Sequence, residues 1–433
     1  MAVALGDVDG DGDLDGFLGI GAPFSLSRLY RNDGRGAFTD VTQASLLPVL
    51  ADPIRAVSLG DLDGDGDLDS VVGVGWDPNV SMSTGPSRRY ANNGAGVFTL
   101  ASFPAQIEDT RAVALGDVDG DGDLDAFMGI SGGPYGGGQN RLYRNLGAGT
   151  FADVTATSLP ALADMTRAVA LGDVDGDGDL DAYVGNGGHP ALLSPQQNRL
   201  LLNGGTGAFA DVTPTNLPAV LDQTIAVALG DIDGDGDLDA FVGNYGQERL
   251  HLNGGTGVFT DVSATNLPPV FDQTNAVTLL DADGDGDLDG LVGNLNSYFL
   301  NPQSTNRLLQ NGGMGVFTDV TAVGLPSLVA STYALAVGDV DGDGDSDAFV
   351  GTADLARIYT NLTRQLSWRG IPRVGTPLAL DLQGPANGTW LLAASAGSAA
   401  IPLPPFGTLR LFPTTLFIVA GGVLDPQGRA SLT

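Results

Sequence analysis

The stretch that decides the fold is Asp7-Val8-Asp9-Gly10-Asp11-Gly12-Asp13-Leu14-Asp15, a nine-residue pattern D-x-D-G-D-G-D-x-D. It returns at Asp61, Asp117, Asp173, Asp231, Asp281 and Asp339, with successive starts 54, 56, 56, 58, 50 and 58 residues apart. Seven copies at such a period are the signature of a repeat architecture in which each unit is one supersecondary element. The flanks repeat too. Ala112-Val113-Ala114-Leu115-Gly116 precedes the third copy and Ala126-Phe127-Met128-Gly129 follows it; both are short apolar runs without helical periodicity and read as buried strands.

Downstream of each pair comes a segment such as Asn140-Arg141-Leu142-Tyr143-Arg144-Asn145, a Gly-rich turn, and Phe151-Ala152-Asp153-Val154-Thr155, with Gly-Gly after Asn203 and Asn253. These are hairpin signals. Each unit is expected to hold four antiparallel strands, and seven such units set radially protect most of their edges. The expected fold is therefore all-β: a seven-bladed β-propeller over residues 1–361, followed at 362–433 by a small β-rich module. An open β-solenoid is the alternative, but its rungs are usually shorter. The seventh unit lacks a Phe-x-Asp-Val-Thr segment after Arg357-Ile358-Tyr359-Thr360-Asn361. Its missing outer strand is expected at Gln365-Leu366-Ser367-Trp368-Arg369, or before Met1 in a longer parent.

Within each copy, carboxylates on alternate residues of a tightly turning loop converge on one point. The candidate metal ligands are Asp7, Asp9, Asp11, Asp13 and Asp15; Asp61, Asp63, Asp65, Asp67 and Asp69; Asp117, Asp119, Asp121, Asp123 and Asp125; Asp173, Asp175, Asp177, Asp179 and Asp181; Asp231, Asp233, Asp235, Asp237 and Asp239; Asp281, Asp283, Asp285, Asp287 and Asp289; and Asp339, Asp341, Asp343, Asp345 and Asp347. Positions 1, 3, 5 and 9 offer carboxylates, position 7 its carbonyl, and glycine at 6 allows the sharp turn. A hard cation taking six to eight oxygens at flexible geometry, Ca²⁺ in preference to Mg²⁺, suits such a cage, and about seven calcium sites are expected. An EF-hand would need a bidentate glutamate at position 12, where this chain has Leu18, Val72, Met128, Val184, Val242, Val292 and Val350. That reading fails. Plain solvated turns fail on energetics, because five carboxylates within nine residues repel one another strongly without a cation.

The pattern, with its apolar strand before and Phe-Val-Gly or Phe-Met-Gly after, resembles the FG-GAP/VCBS repeats of integrin α-subunit propellers and of many exported bacterial proteins, over residues 1 to about 361. The resemblance implies a propeller whose blade hairpins carry Ca²⁺ on carboxylates 1, 3, 5 and 9 and the carbonyl of 7. The seventh copy departs from the others at Ser346, which is not a ligand position.

Composition agrees with calcium. The formal charge is -33, from 52 acidic and 19 basic residues; the chain has no lysine, and its only glutamates are Glu108 and Glu248. Such a surface repels nucleic acid and anionic lipid. The absence of cysteine excludes disulfides and thiolate chemistry. No apolar stretch reaches the roughly 20 residues of a transmembrane segment, and Met1 runs straight into a repeat without a signal peptide, so the sequence is read as a possible fragment. Export to the outside or the cell surface is still expected, because a site filled at a hundredfold excess of calcium over its Kd adds about 2.7 kcal/mol to stability, support that largely vanishes inside a cell.

Function is expected on the face opposite the calcium loops, where the second-to-third-strand connections vary. Trp76, Tyr135, His189, Tyr245 and Tyr298 lie there and are candidates for contact with an extracellular protein or glycan. Arg28, Arg141, Arg199, Arg249 and Arg307 open the third strands and are expected to pair with acidic neighbours. No nucleophile, base or open metal position breaks the repeat symmetry, and His189 and His251, the only histidines, sit in unlike contexts. The expected role is a scaffold for protein binding or adhesion, with no enzymatic activity. A lectin-like sugar binder and a polysaccharide-acting enzyme are the alternatives.

Overall fold

Short apolar runs bounded by glycine and aspartate leave the backbone no way to satisfy its hydrogen bonds except by pairing with neighbouring runs. The computed structural model describes residues 1–21, 26–49, 52–75, 85–132, 136–187, 195–295, 305–326, 331–352 and 356–361 in full, and beyond them the backbone of strands between 366 and 432. The third unit shows the plan: Thr110–Gly116, Asp125–Ile130, Arg141–Asn145 and Phe151–Asp153 pair antiparallel in that order. The second strand is buried along its whole length, which is why its sequence is a continuous apolar run without alternation. Units 1, 2, 4, 5 and 6 follow the same meander, and unit 7 has three strands, Thr332–Gly338, Asp347–Thr352 and Ala356–Tyr359.

The candidate for the missing strand is corrected by the pairing. Leu366–Arg369 pairs with Ala379–Gln383 and not with Ala356–Tyr359. Leu416–Val423 and Arg429–Leu432 pair with Thr389–Ser395 and Ala379–Gln383 respectively. The region beyond 362 is β-rich, in three small sheets.

The Phe-x-Asp-Val-Thr segment does more than supply an outer strand. Asp211 Oδ1 accepts the Thr213 N–H at 3.0 Å, and Thr213 Oγ1 accepts the N–H of Leu200 at 3.0 Å. Aspartate thus starts a one-turn helix, Thr213–Asn216, whose first hydroxyl closes the end of the third strand. The same pair of bonds recurs at Asp153/Thr155 and Asp261/Ser263. Unit 2 has Phe98-Thr99-Leu100-Ala101 in place of the motif, and no helix follows.

Consecutive units pack face to face. An aromatic of one second strand meets the outer-strand phenylalanine of the next unit edge-on: Phe127 against Phe209 at 5.8 Å, Tyr183 against Phe259 at 5.6 Å, Phe241 against Phe317 at 5.6 Å. Such pairs add about 0.5–1.5 kcal/mol beyond the area they bury. Phe349 of unit 7 meets Phe38 of unit 1 in the same way, at 5.3 Å. Ala2–Gly6 adjoins both Ile54–Gly60 and Thr332–Gly338.

A second repeated contact is a leucine over a glycine. A Cβ on Gly6, Gly60, Gly116, Gly172, Gly230 or Gly338 would come within 2.5–2.8 Å of the δ-methyl of Leu68, Leu124, Leu180, Leu238, Leu288 or Leu14, each from the following unit, with unit 1 following unit 7. Between units 6 and 7 the sizes are exchanged: Leu280 stands in the glycine place and Ser346 in the leucine place. Leu280 is buried in the cluster that also holds Ala348 and Val350 of unit 7. The one departure of the seventh loop is thus matched by a departure in the strand beneath it.

Candidate metal centres

Each aspartate loop joins the first and second strands of its unit, and its backbone is shaped by its own carboxylates. Asp7 Oδ1 accepts the Gly10 N–H at 2.8 Å and Oδ2 the Gly12 N–H at 2.9 Å, while Asp11 Oδ1 accepts the Asp13 N–H at 3.1 Å. Gly10 and Gly12 have φ of 74° and 95°, a region that admits glycine at little cost. Position 1 therefore fixes the turn.

Position 9 is wholly buried. Asp181 Oδ1 accepts the N–H of Asn203 at 2.8 Å and Oδ2 the N–H of Val174 at 3.0 Å. Burial pushes Asp15, Asp125, Asp181, Asp239, Asp289 and Asp347 up to about 6, against the backbone hydrogen bonds each receives. Asp69 is raised as well, with the Arg89 guanidinium and the Asn92 N–H opposing.

The loops bring positions 1, 3 and 9 together. One carboxylate oxygen from each of Asp7, Asp9 and Asp15 lies within 4.8 Å of the others, and the same holds for Asp117, Asp119 and Asp125, for Asp173, Asp175 and Asp181, and for Asp231, Asp233 and Asp239. In unit 2 the group is Asp61, Asp63 and Asp65. Position 5 stays at the exposed side of the first loop, and the position-7 carboxylate turns away from the cage: a Cβ on turn residues Gly34, Gly94, Gly205, Gly255 or Gly313 would lie 2.4–2.5 Å from an oxygen of Asp13, Asp67, Asp179, Asp237 or Asp287. Only the carbonyl of position 7 is left to face an ion.

A direct observation tests whether these residues suit a cation. Asp9 Oδ1, Asp119 Oδ1 and Asp341 Oδ1, all at position 3, are buried and accept no hydrogen bond; Asp63 Oδ1 in loop 2 is alike, on a carboxylate whose other oxygen accepts from Arg89. An unpaired buried carboxylate oxygen is costly, and a metal ion held between positions 1, 3 and 9 would remove that cost. The clusters could hold metal ions.

The loops also lie where units join. Each third strand ends at, or is closely followed by, an asparagine whose side-chain amide reaches the preceding unit: Asn203 Nδ2 donates to the Leu180 carbonyl of its own loop at 3.2 Å, and to the Val118 carbonyl of the preceding loop at 2.7 Å. Asn92, Asn145, Asn253, Asn311 and Asn361 reach Val8, Leu62, Val174, Ile232 and Ala282 of the preceding units in the same way. These asparagines recur in the sequence, where they look like turn formers; their bonds between units are visible only in three dimensions.

The third-strand arginines pair as expected. Arg199 joins Asp164 at 2.8 Å and Asp211 at 3.3 Å, Arg249 joins Asp222 and Asp261, Arg307 joins Asp272 and Asp319, Arg141 joins Glu108 and Asp153, and Arg28 joins Asp40. Of the candidate recognition residues, Trp76, Tyr135, His189 and Tyr298 lie outside the described residues. Tyr245 is half-buried and lies not in a free loop but in an extension of Asp239–Gly246 that pairs with Gln273 of unit 6. His251 is buried, its Nδ1 2.9 Å from the hydroxyl of Tyr183, and burial holds its pKa down.

A family model of the FG-GAP-like repeat matches residues 7–72, 130–184, 191–242, 231–292 and 293–350, well over half of the chain. The chain belongs to the FG-GAP-like repeat family. A relative of this FG-GAP-like chain, cartilage acidic protein 1 of Xenopus tropicalis, is 28% identical over 162 residues, 36% of this chain. The match spans 23% of that protein's length. Among solved structures, the FG-GAP-like chain is similar to an Agrocybe aegerita lectin described as recognising non-reducing terminal N-acetylglucosamine (17% identity, TM-score 0.43, 83% of this chain and 85% of that one). It is also similar to the V. cholerae biofilm matrix protein Bap1 (14% identity, TM-score 0.38, 88% and 59%). At such TM-scores neither likeness bears on ring closure or on ligand. Among the described residues, no helix is long and apolar enough to cross a membrane.

Proposed function

We propose that this chain is an extracellular, calcium-stabilised β-propeller of seven blades that serves as a scaffold for protein binding or cell adhesion. The observation that carries the reading is the convergence of carboxylates: in loops 1, 3, 4 and 5 one oxygen from each of positions 1, 3 and 9 lies within 4.8 Å of the others. Calcium, which takes many oxygens at flexible geometry, would be held by positions 1, 3, 5 and 9 and the carbonyl of 7, with waters completing the shell. Its chemistry there is charge neutralisation at a joint between blades. Closure of the ring is supported by Asn32, Phe38 and Leu14 of unit 1, which meet unit 7 through contacts that recur between other consecutive units.

The same reading gives the chain no catalytic step. His251 is tied to Tyr183 between units 4 and 5, and Glu248, which burial raises to about 7, accepts the Thr274 hydroxyl at 2.6 Å. On this reading calcium would stabilise the fold at extracellular and not at intracellular concentrations, which supports a location outside the cell or on its surface.

The test is to immobilise the chain and probe it with a glycan array and with a panel of extracellular matrix proteins, in millimolar calcium and after chelation. Calcium-dependent capture of a protein supports the reading. Selective glycan capture replaces it with a lectin, and turnover of a polysaccharide overturns the assignment of a non-catalytic scaffold.

A further inference from the structure

Six units carry an aliphatic residue at the second place of the third strand: Leu29, Leu142, Leu200, Leu250, Leu308 and Ile358. Unit 2 has Arg89. It faces Val71 across the strand pair as Leu142 faces Phe127, and its side chain is 6% exposed. A guanidinium in a place built for leucine is costly unless fixed anions receive it. Loop 2 supplies them. Arg89 Nη2 donates to Asp63 Oδ2 at 2.8 Å and to Asp69 Oδ2 at 2.6 Å, and Nη1 donates to the Gly149 carbonyl in the turn of unit 3 at 3.0 Å.

Asp63 and Asp69 are positions 3 and 9 of the loop. In the other six units, position-9 Oδ2 accepts the N–H of position 2; in unit 2 that oxygen is held by Arg89. Units 1 and 3 also bring an arginine to their loops, but from the fourth place of the strand and onto position 3 alone: Arg31 Nε lies 2.7 Å from Asp9 and Arg144 Nε 2.8 Å from Asp119. In units 4 and 5 the fourth place is Leu202 and Leu252. Among the described residues these five loops are therefore graded by internal cation: none in 4 and 5, one on a single ligand in 1 and 3, and one on two ligands in 2.

We propose that Arg89 is the built-in counter-cation of loop 2, occupying the role that calcium has in loops 4 and 5, so that the junction of units 2 and 3 is held without metal. This rests on the calcium reading of the other loops. The planar fork of arginine suits simultaneous donation to two carboxylates and a carbonyl. With two carboxylates so engaged, the loop keeps too few anionic oxygens for a hard divalent ion, and a positive charge at hydrogen-bond distance from those ligands repels it.

The test counts calcium per chain by plasma mass spectrometry at a free calcium that fills loops 4 and 5. Asp173→Asn, in loop 4, loses one calcium; Asp61→Asn, at the same position of loop 2, loses none; Arg89→Leu, which restores the residue type of the other units, gains one. If Asp61→Asn loses one calcium as Asp173→Asn does, the proposal is overturned, whether or not Arg89→Leu folds. If Arg89→Leu folds and gains none, it is overturned as well. Absence of calcium from the unsubstituted chain would instead remove the calcium reading itself.

Discussion

The side-chain amide of Asn32 donates to the main-chain carbonyl of Val340 at 2.7 Å, although 308 residues separate them. It is the same bond that Asn203 makes to Val118 within the row of units, at the same length. Removing the donor leaves a buried carbonyl underpaired, at about 1–3 kcal/mol. Asn32→Ala and Asn203→Ala are therefore expected to lower stability by similar amounts in urea unfolding with calcium present. A neutral Asn32→Ala beside a costly Asn203→Ala would mean that units 1 and 7 do not join in solution.

The exchange of sizes between units 6 and 7 predicts coupling. Ser346→Leu alone sets a leucine against Leu280 and is expected to cost about 1–3 kcal/mol by overpacking, and Leu280→Gly alone leaves a cavity. The double variant restores the pair used at the other junctions and should recover a large part of both losses, read as a favourable interaction energy in a double-mutant cycle. Strict additivity would show that the two places do not share a space.

Acid should act in opposite directions on the metal-free and calcium-loaded forms. The position-9 carboxyls are raised from an ordinary 3.8 to about 6 in the folded chain. Between those values the folded state holds protons that the unfolded state has released, so metal-free stability is greatest at the acid end and is lost as pH rises through about 6. Bound calcium needs the carboxylates ionised, so its contribution grows with pH over the same window. Melting curves from pH 4 to 7 are expected to fall for metal-stripped protein and rise with calcium; parallel curves would contradict the assignment of the loops.

Two adjacent glycines separate close approach from simple exposure. Gly205 has φ +75°, and a Cβ there would lie 2.5 Å from Asp179 Oδ2, whereas a Cβ on Gly204 would meet nothing within 4 Å. Gly205→Ala is expected to cost about 1–3 kcal/mol, while Gly204→Ala should stay within about 0.5 kcal/mol of the parent, both by chemical denaturation.

The loops and strands were legible because seven copies of one pattern average out local ambiguity: Asp7 to Asp15 names the loop, and the apolar runs around it name two strands. The junctions were less legible. Asn203 reads as a turn residue until Val118 is seen beside it, and Ser346 reads as an idle substitution until Leu280 is compared with the glycines of the other units. Arg89 was visible as a departure from leucine, but nothing local says that its side chain turns back onto Asp63 and Asp69. Pairing beyond residue 362 was the least legible, since apolar strands without a repeat carry no register; Leu366–Arg369 joins Ala379–Gln383 instead of completing unit 7.

The central claim, that calcium in the aspartate loops holds the repeat domain together, is tested most directly by thermal unfolding followed by circular dichroism in millimolar calcium and again in excess chelator with magnesium, with bound metal counted in parallel. The account predicts a large fall in melting temperature on chelation that magnesium does not repair, and a calcium count approaching one per loop, with loop 2 the exception. An unchanged melting temperature with no bound calcium would contradict it and make the loops solvated turns.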